Sequence, residues 1–80
     1  MLSRLKTDNR IVGTKQVKRA LNSGGVEAVF IAKDAESKIT DEIVKICNEK
    51  QVQVIYIDNM KELGNACGID VNAATAALLK

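Results

Sequence analysis

The architecture of this chain follows from one heptapeptide, Val26-Glu27-Ala28-Val29-Phe30-Ile31-Ala32. A short, nearly unbroken apolar run is typical of a β-strand that is covered on both faces. Residues 51–57 repeat this character, and residues 40–50 between the two runs have apolar side chains at helical spacing. Two buried strands joined by a helix predict an α/β domain with helices on both faces of a small sheet.

The first 25 residues predict three further elements. Residues 3–8 have the pattern of one or two helical turns, and residues 10–12 are a strand candidate that ends at Gly13. A helix follows over residues 14–22. The segment 23–25, Ser-Gly-Gly, stops this helix, since a glycine after a helix accepts left-handed dihedral angles.

Capping residues and composition predict the elements of the second half. Thr40 is an N-cap candidate for the helix that precedes the second apolar run. Asp58 or Asn59 is predicted to cap the next helix, where Asn59 and Glu62 resemble a capping box, and this helix closes at Gly68. Residues 69–72 are then interpreted as an exposed loop. Residues 73–79 are rich in alanine, which favours a helix, but a small sheet still needs edge pairing, so a strand is predicted there.

The composition disfavours several classes of protein. The chain has no His, Trp or Pro and two cysteines, Cys47 and Cys67, both on predicted inward arcs of helices. No His is present to activate a thiol, and C-x-x-C, phosphate-loop and G-x-G-x-x-G motifs are missing, so each Cys is interpreted as a small apolar residue. We expect no catalytic activity, no metal and no cofactor. No apolar run reaches the roughly 18 residues of a membrane span, and residues 1–10 lack a signal-peptide core, so a cytoplasmic protein is expected.

The charge is unevenly distributed along the chain. The net charge is only +2, but residues 1–22 carry six basic residues and one acidic residue, a net +5. Residues 23–80 carry six basic and nine acidic residues, a net −3. A molecule with one basic end suits a polyanionic partner better than its total charge suggests.

Three of these six basic residues lie in one segment, Gly13-Thr14-Lys15-Gln16-Val17-Lys18-Arg19. At about 100° per residue, one arc of the predicted helix carries Lys15, Lys18, Arg19 and Asn22, and the opposite arc carries Val17, Ala20 and Leu21. The free N–H groups of a helix start attract anions, Gly13 lets a ligand backbone come close, and the Gln16 amide suits a base edge. The same pattern is typical of a solvated amphipathic helix, so both interpretations stay open.

Recognition of nucleic acid by aromatic stacking is not expected. The two aromatic residues, Phe30 and Tyr56, both lie in strands predicted to be buried, so the sheet offers no stacking platform. A nucleic-acid partner would have to be bound by the basic helix start and by loops. In the predicted loop, Ile69 and Val71 either anchor the backbone to the core or pack against an unstacked base.

Two segments resemble a known family. Residues 13–19 are similar to the Gly-x-Asn-Glu-x-x-Lys signature of the archaeal kink-turn-binding ribosomal proteins, which belong to the L7Ae/L30e/S12e/Gadd45 superfamily. Residues 61–71, Lys-Glu-Leu-Gly-Asn-Ala-Cys-Gly-Ile-Asp-Val, resemble its second signature, in which a helix runs into a Leu-Glu-Val loop. The short length, and the pair Lys15-Gln16 in the place of Asn-Glu, are most similar to the bacterial YbxF-type branch.

The resemblance implies a three-layer α/β/α sandwich with a small mixed four-stranded sheet, formed as a single domain over residues 1–80. It also implies binding to RNA kink-turns, in which a short bulge flanks tandem sheared G·A pairs. The RNA-binding residues implied by position are Gly13, Thr14, Lys15, Gln16, Lys18, Arg19, Ile69, Asp70 and Val71. The helix start would contact the G·A pairs and nearby phosphates, and the loop would enclose the extruded bulge nucleotide.

The resulting prediction is a non-catalytic, cytoplasmic, monomeric RNA-binding protein without membrane association. Two other classes stay open at this point. One is a protein-interaction module with the same fold, and the other is a small thiol- or nucleotide-dependent enzyme, which would need an ordered ligand or an accessible Cys47 or Cys67. The residues also leave open whether the RNA is ribosomal or riboswitch-like, and whether the protein is ribosome-associated.

Overall fold

Helices and strands alternate along the chain in a computed structural model that describes residues 9–69 and 71–80. In chain order they are β1 (Arg10–Val12), α1 (Thr14–Ser23), β2 (Val26–Ala32), α2 (Ser37–Lys50), β3 (Gln53–Ile57), α3 (Met60–Ala66) and β4 (Thr75–Leu79). The helical turns predicted at residues 3–8 lie outside the described residues.

The four strands form one mixed sheet in the order β1-β4-β2-β3. β2 and β3 are parallel, with Phe30 opposite Ile55, and α2 is the crossover between them. β4 is antiparallel to both of its neighbours, with Ala76 opposite Val12 of β1 and Phe30 of β2. These pairings confirm the mixed sheet and the strand predicted in the alanine-rich end. β4 hydrogen-bonds to strands on both sides, and this tertiary pairing overrides the helix propensity of alanine.

Helices cover both faces of the sheet, as the three-layer prediction requires. α1 and α2 pack on one face, with a core of Val17, Leu21, Val26, Val29, Ile31, Ile43, Cys47 and Ala77. α3 packs on the other face, with a core of Ala28, Phe30, Ala32, Ile57, Leu63, Cys67, Ala73, Ala76 and Leu78. β2 supplies side chains to both cores, which explains its nearly unbroken apolar run.

β3 is less buried than its sequence predicts. It lies at an edge of the sheet, so one of its sides has no neighbour among the described strands. Gln53 is exposed, and Tyr56 exposes 53% of its surface. The prediction that Tyr56 is a core residue is therefore wrong. An apolar run predicts that a strand forms, but the burial of that strand also depends on whether it lies in the centre or at the edge of the sheet.

The ends of α1 and α3 agree with the sequence. Gly24 ends α1 in the left-handed region, at φ 82°, and Gly68 follows α3 at φ 76°. At the start of α3, the Asn59 side chain accepts a hydrogen bond from the Glu62 N–H at 2.8 Å. The capping residue predicted for this helix is confirmed.

α2 begins one turn before the predicted Thr40. Its first residue is Ser37, and its N-cap is Glu36, whose side chain makes no capping hydrogen bond. The Thr40 N–H donates to the Glu36 carbonyl oxygen at 3.2 Å, and its hydroxyl donates to the Ser37 carbonyl oxygen at 3.3 Å. A threonine hydroxyl that bonds back to the preceding turn is accommodated inside a helix, so Thr40 does not cap it.

Candidate nucleic-acid interface

Segments from distant parts of the chain come together at one end of the strands of the sheet. β1, β2 and β3 finish at this end and β4 begins there, because β4 is antiparallel to β1 and β2 while β3 is parallel to β2. α1 starts directly after β1. The α3–β4 loop, residues 67–74, leads into β4. The sheet topology therefore places the start of α1 beside the end of this loop.

Hydrogen bonds at Thr75 join the two segments. The Gly13 N–H donates to the Thr75 carbonyl oxygen at 3.0 Å, and the Oγ1 atoms of Thr14 and Thr75 are 3.4 Å apart. Thr75 is fully buried and Thr14 is partly exposed, so this contact lies between the core and the surface. Val71 is four residues earlier, which limits the distance between its Cα and that of Thr75 to about 14 Å.

The backbone at the start of α1 is open to a ligand. Gly13 is the N-cap, with φ 106° and ψ 145°, a conformation that residues with a side chain rarely adopt. Apart from Gly13 and its two chain neighbours, no heavy atom of the described residues lies within 4 Å of the place where a Cβ would stand. No side chain caps α1 in the part of the chain that the structure describes. The first N–H groups of the helix therefore have no partner within it, which suits an anion such as phosphate.

The side chains on the basic arc of α1 differ in exposure. Lys15, Gln16 and Arg19 are exposed. Lys18 is half-buried, and its Nζ lies 2.7 Å from Oε1 of Glu42 on α2. Lys18 is therefore less exposed than the rest of the predicted outward arc, because α2 packs beside α1 and supplies a carboxylate to it. The contact of each of these side chains with RNA stays a prediction.

The α3–β4 loop has one anchored and one exposed apolar side chain. Ile69 packs partly against the core on the α3 side, and its N–H donates to the Gly64 carbonyl oxygen at 3.1 Å. Val71 exposes 67% of its surface. Asp70 lies outside the described residues. Each of the two interpretations of this loop therefore fits one residue: Ile69 anchors the backbone, and Val71 is free to meet a ligand.

Two residues outside the predicted site contact this loop. Arg10 donates a hydrogen bond from Nε to the Cys67 carbonyl oxygen at 2.9 Å. Gly64 of α3 lies against the Val71 backbone, where a Cβ would overlap the Val71 carbonyl oxygen. The sequence carries a signal for Gly64, because glycine is unfavourable inside a helix. Arg10 has no comparable signal, since its contact with Cys67 depends on the order of the strands.

Both thiols are buried. Cys47 and Cys67 are 0% exposed. Burial raises the pKa of each thiol, and at Cys67 the nearby Arg10 partly opposes this rise in pKa. The structure thus confirms that both act as small apolar residues. It contradicts the accessible thiol that the enzyme alternative requires.

Residues 9–69 and 71–80 contain no candidate metal site and no candidate membrane span. No group of three or more His, Cys, Asp or Glu side chains in these ranges is arranged to hold a metal ion. None of the helices described there has the length and apolar character needed to cross a bilayer.

Comparison with known proteins identifies one family. The model of the ribosomal protein L7Ae/L30e/S12e/Gadd45 family matches residues 2–80. RNA-binding protein TTE2299 of Caldanaerobacter subterraneus subsp. tengcongensis is 53% identical over 68 residues, which cover 85% of this chain and 83% of that protein. RNA-binding protein YbxF of Geobacillus stearothermophilus is 41% identical over 76 residues, which cover 95% and 93% of the two proteins.

A solved structure has the same fold. The Giardia lamblia 15.5kD RNA binding protein superimposes with a TM-score of 0.91 at 27% sequence identity. The match covers 99% of this chain and 70% of that one. The similarity therefore extends over the whole three-layer fold of this chain.

Proposed function

Because this chain belongs to the ribosomal protein L7Ae/L30e/S12e/Gadd45 family and is a non-enzymatic RNA-binding protein of that family, we propose that its target is the kink-turn, a bent RNA element with tandem sheared G·A pairs beside a short bulge. The protein would stabilise the bent form of the RNA by binding it in preference to the extended form.

The observation that supports this proposal is the position of the start of α1 beside the α3–β4 loop. The Gly13 N–H to Thr75 hydrogen bond and the contact between the Thr14 and Thr75 hydroxyls hold the two segments together. An RNA that presents a groove and an unpaired nucleotide close to each other can contact both segments at once. A regular RNA helix has no such nucleotide to offer.

Different parts of this surface have different tasks in the proposed complex. Lys15 and Arg19 neutralise phosphates beside the G·A pairs, and the Gln16 amide donates to and accepts from base edges. The free N–H groups after Gly13 bind phosphate oxygens where the RNA backbone comes close. In the loop, the exposed Val71 packs on the extruded nucleotide, and Ile69 and Asp70 complete its enclosure. Lys18, which is paired with Glu42, contributes less of its charge to the RNA.

A titration with two RNAs tests the proposal. One RNA contains a kink-turn, and in the other the G·A pairs are replaced by Watson–Crick pairs while the length and charge stay the same. We expect the second RNA to bind at least about tenfold more weakly, a difference of about 1.4 kcal/mol. Fluorescence energy transfer between labels on the two RNA arms should report bending of the first RNA only. Equal affinity for both RNAs would reject kink-turn recognition.

The proposed working form is a cytoplasmic monomer. Analytical ultracentrifugation of the protein with and without one equivalent of kink-turn RNA would test the monomer. Sucrose-gradient fractionation of a cell lysate would test its association with ribosomal particles. Migration with these particles supports a ribosomal RNA target, and migration with smaller RNA supports a riboswitch-like one.

A further inference from the structure

Val71 is an exposed apolar side chain on a backbone that is held at several points. Before it, the Ile69 N–H donates to the Gly64 carbonyl oxygen at 3.1 Å. After it, the Ala73 N–H donates to the Met60 carbonyl oxygen at 3.1 Å. Both acceptors lie on α3, so this helix holds the backbone on either side of Val71.

Gly64 gives the Val71 backbone its place on α3. The carbonyl oxygen of Val71 occupies the space in which a side chain at residue 64 would begin. The Val71 carbonyl carbon and the Asn72 Cα would lie 3.2 and 3.4 Å from that Cβ. Glycine is unfavourable inside a helix, because it loses more conformational freedom than alanine on folding. A buried glycine at this position is explained by the close approach of the loop.

Arg10 fixes the other end of the same turn. It lies on β1, and its Nε donates to the carbonyl oxygen of Cys67, the C-cap of α3, at 2.9 Å. The last carbonyl groups of a helix have no partner within it and attract cations. The next residue, Gly68, turns the backbone in the left-handed region. The Arg10 hydrogen bond therefore sets the point at which the chain leaves α3 toward Val71.

We propose that Gly64 and Arg10 are positioning residues that hold the Val71 backbone in its binding position before RNA arrives, so that the Val71 side chain meets the unpaired nucleotide without further ordering. A loop that is ordered in advance loses less conformational entropy on binding, and this gain appears as affinity. The inference rests on the proposed kink-turn function and adds to it the residues that prepare the nucleotide contact.

Gly64→Ala and Arg10→Lys test the two residues separately. The first adds a methyl group that displaces the Val71 backbone. The second keeps the positive charge but places a methylene group where Nε lies, so the bond to Cys67 is lost. Gly25→Ala is the matched control, because its added Cβ would meet only the Ser23 Oγ, at 3.9 Å. We expect affinity for kink-turn RNA to fall about tenfold for Gly64→Ala, to fall severalfold for Arg10→Lys, and to stay unchanged for Gly25→Ala.

A second RNA separates positioning from general damage to the fold. This RNA is the same kink-turn with an abasic site at the extruded nucleotide, so Val71 has no base to contact. On it, Gly64→Ala and Arg10→Lys should bind as the wild type does. In a Val71→Ala background, Gly64→Ala should add little further loss on the intact RNA, since both changes act on one contact.

Equal losses on the two RNAs, or fully additive losses in the double variant, would overturn the inference. Far-UV circular dichroism shows whether Gly64→Ala folds, and Arg10→Lys, which changes an exposed side chain, decides the question if it does not. Failure of the proposed function is recognised separately: the wild type would then bind kink-turn RNA and its G·A-substituted form alike. Wild-type discrimination with no loss in either positioning variant overturns the inference alone.

Discussion

Lys18 and Arg19 are neighbours in the sequence but have different surroundings on α1. Arg19 is exposed, as is Lys15 one turn earlier, whereas the Lys18 ammonium lies 2.7 Å from the Glu42 carboxylate. Moving the Lys18 charge onto a phosphate would break this ion pair, so part of the attraction would be lost. Arg19 and Lys15 have no such partner among the described residues, so we expect each of them to contribute more to RNA binding than Lys18 does.

Lys15→Ala and Arg19→Ala are each expected to weaken binding to kink-turn RNA. Each should also reduce the slope of log K against log salt concentration by about 1 for a lost phosphate contact, because fewer counterions are released. Lys18→Ala should change both quantities less. Gel-shift titrations over a series of salt concentrations measure the affinity and the slope together.

Lys50→Ala is the matched control for these three variants. Lys50 is an exposed lysine at the carboxyl end of α2. It lies near the start of β3, at the other end of the strands from the start of α1. Its removal lowers the net charge by the same amount but should leave the slope unchanged. If all four variants change the slope equally, RNA is attracted by the overall charge and the start of α1 is not its phosphate site.

α3 is the element on which the loop depends, and its first turn shows what local sequence can and cannot predict. The Asn59 cap was predictable because the donor, Glu62 N–H, is three residues away in an Asn-x-x-Glu pattern. The next contact, from the Met60 N–H to Oδ1 of Asp34 at 2.8 Å, joins residues that are 26 positions apart. A local sequence pattern cannot predict such a contact, because the two residues come together only when β2 and β3 are paired.

Asn59→Ala is expected to lower the free energy of unfolding by about 1 kcal/mol, since one N–H group of the first turn of α3 loses its partner. Asn48→Ala makes the same substitution at an exposed position within α2, where alanine is the better helix former, and should change stability by a few tenths of a kcal/mol at most. Urea unfolding followed by circular dichroism measures both variants. Similar values for the two would show that the Asn59 side chain does not stabilise the helix.

At the scale of the whole molecule, the layers were predictable from periodicity, but the convergence of the site was not. Thr75 reaches Gly13 because β4 enters the sheet between β1 and β2, and the spacing of apolar residues does not specify strand order. The same strand order places β3 at an edge and exposes Tyr56, which the apolar run failed to predict. Only the resemblance to a known family placed the two ends of the chain in one site.

A site assembled from both ends of the chain should be competent only in the complete fold, so kink-turn RNA should stabilise the protein as a whole. At a free RNA concentration about 100 times Kd, binding to the folded state alone adds about 2.7 kcal/mol, which for a domain of this size raises the melting temperature by roughly 10–20 °C. Circular dichroism at a wavelength dominated by the protein helices follows the transition. The control is the G·A-substituted RNA at the same concentration and salt, which should raise the melting temperature much less. An equal rise with both RNAs would indicate general polyanion binding, and no rise with the intact kink-turn would mean that the RNA binds the unfolded chain as well as the folded one, so that the site does not depend on the complete fold.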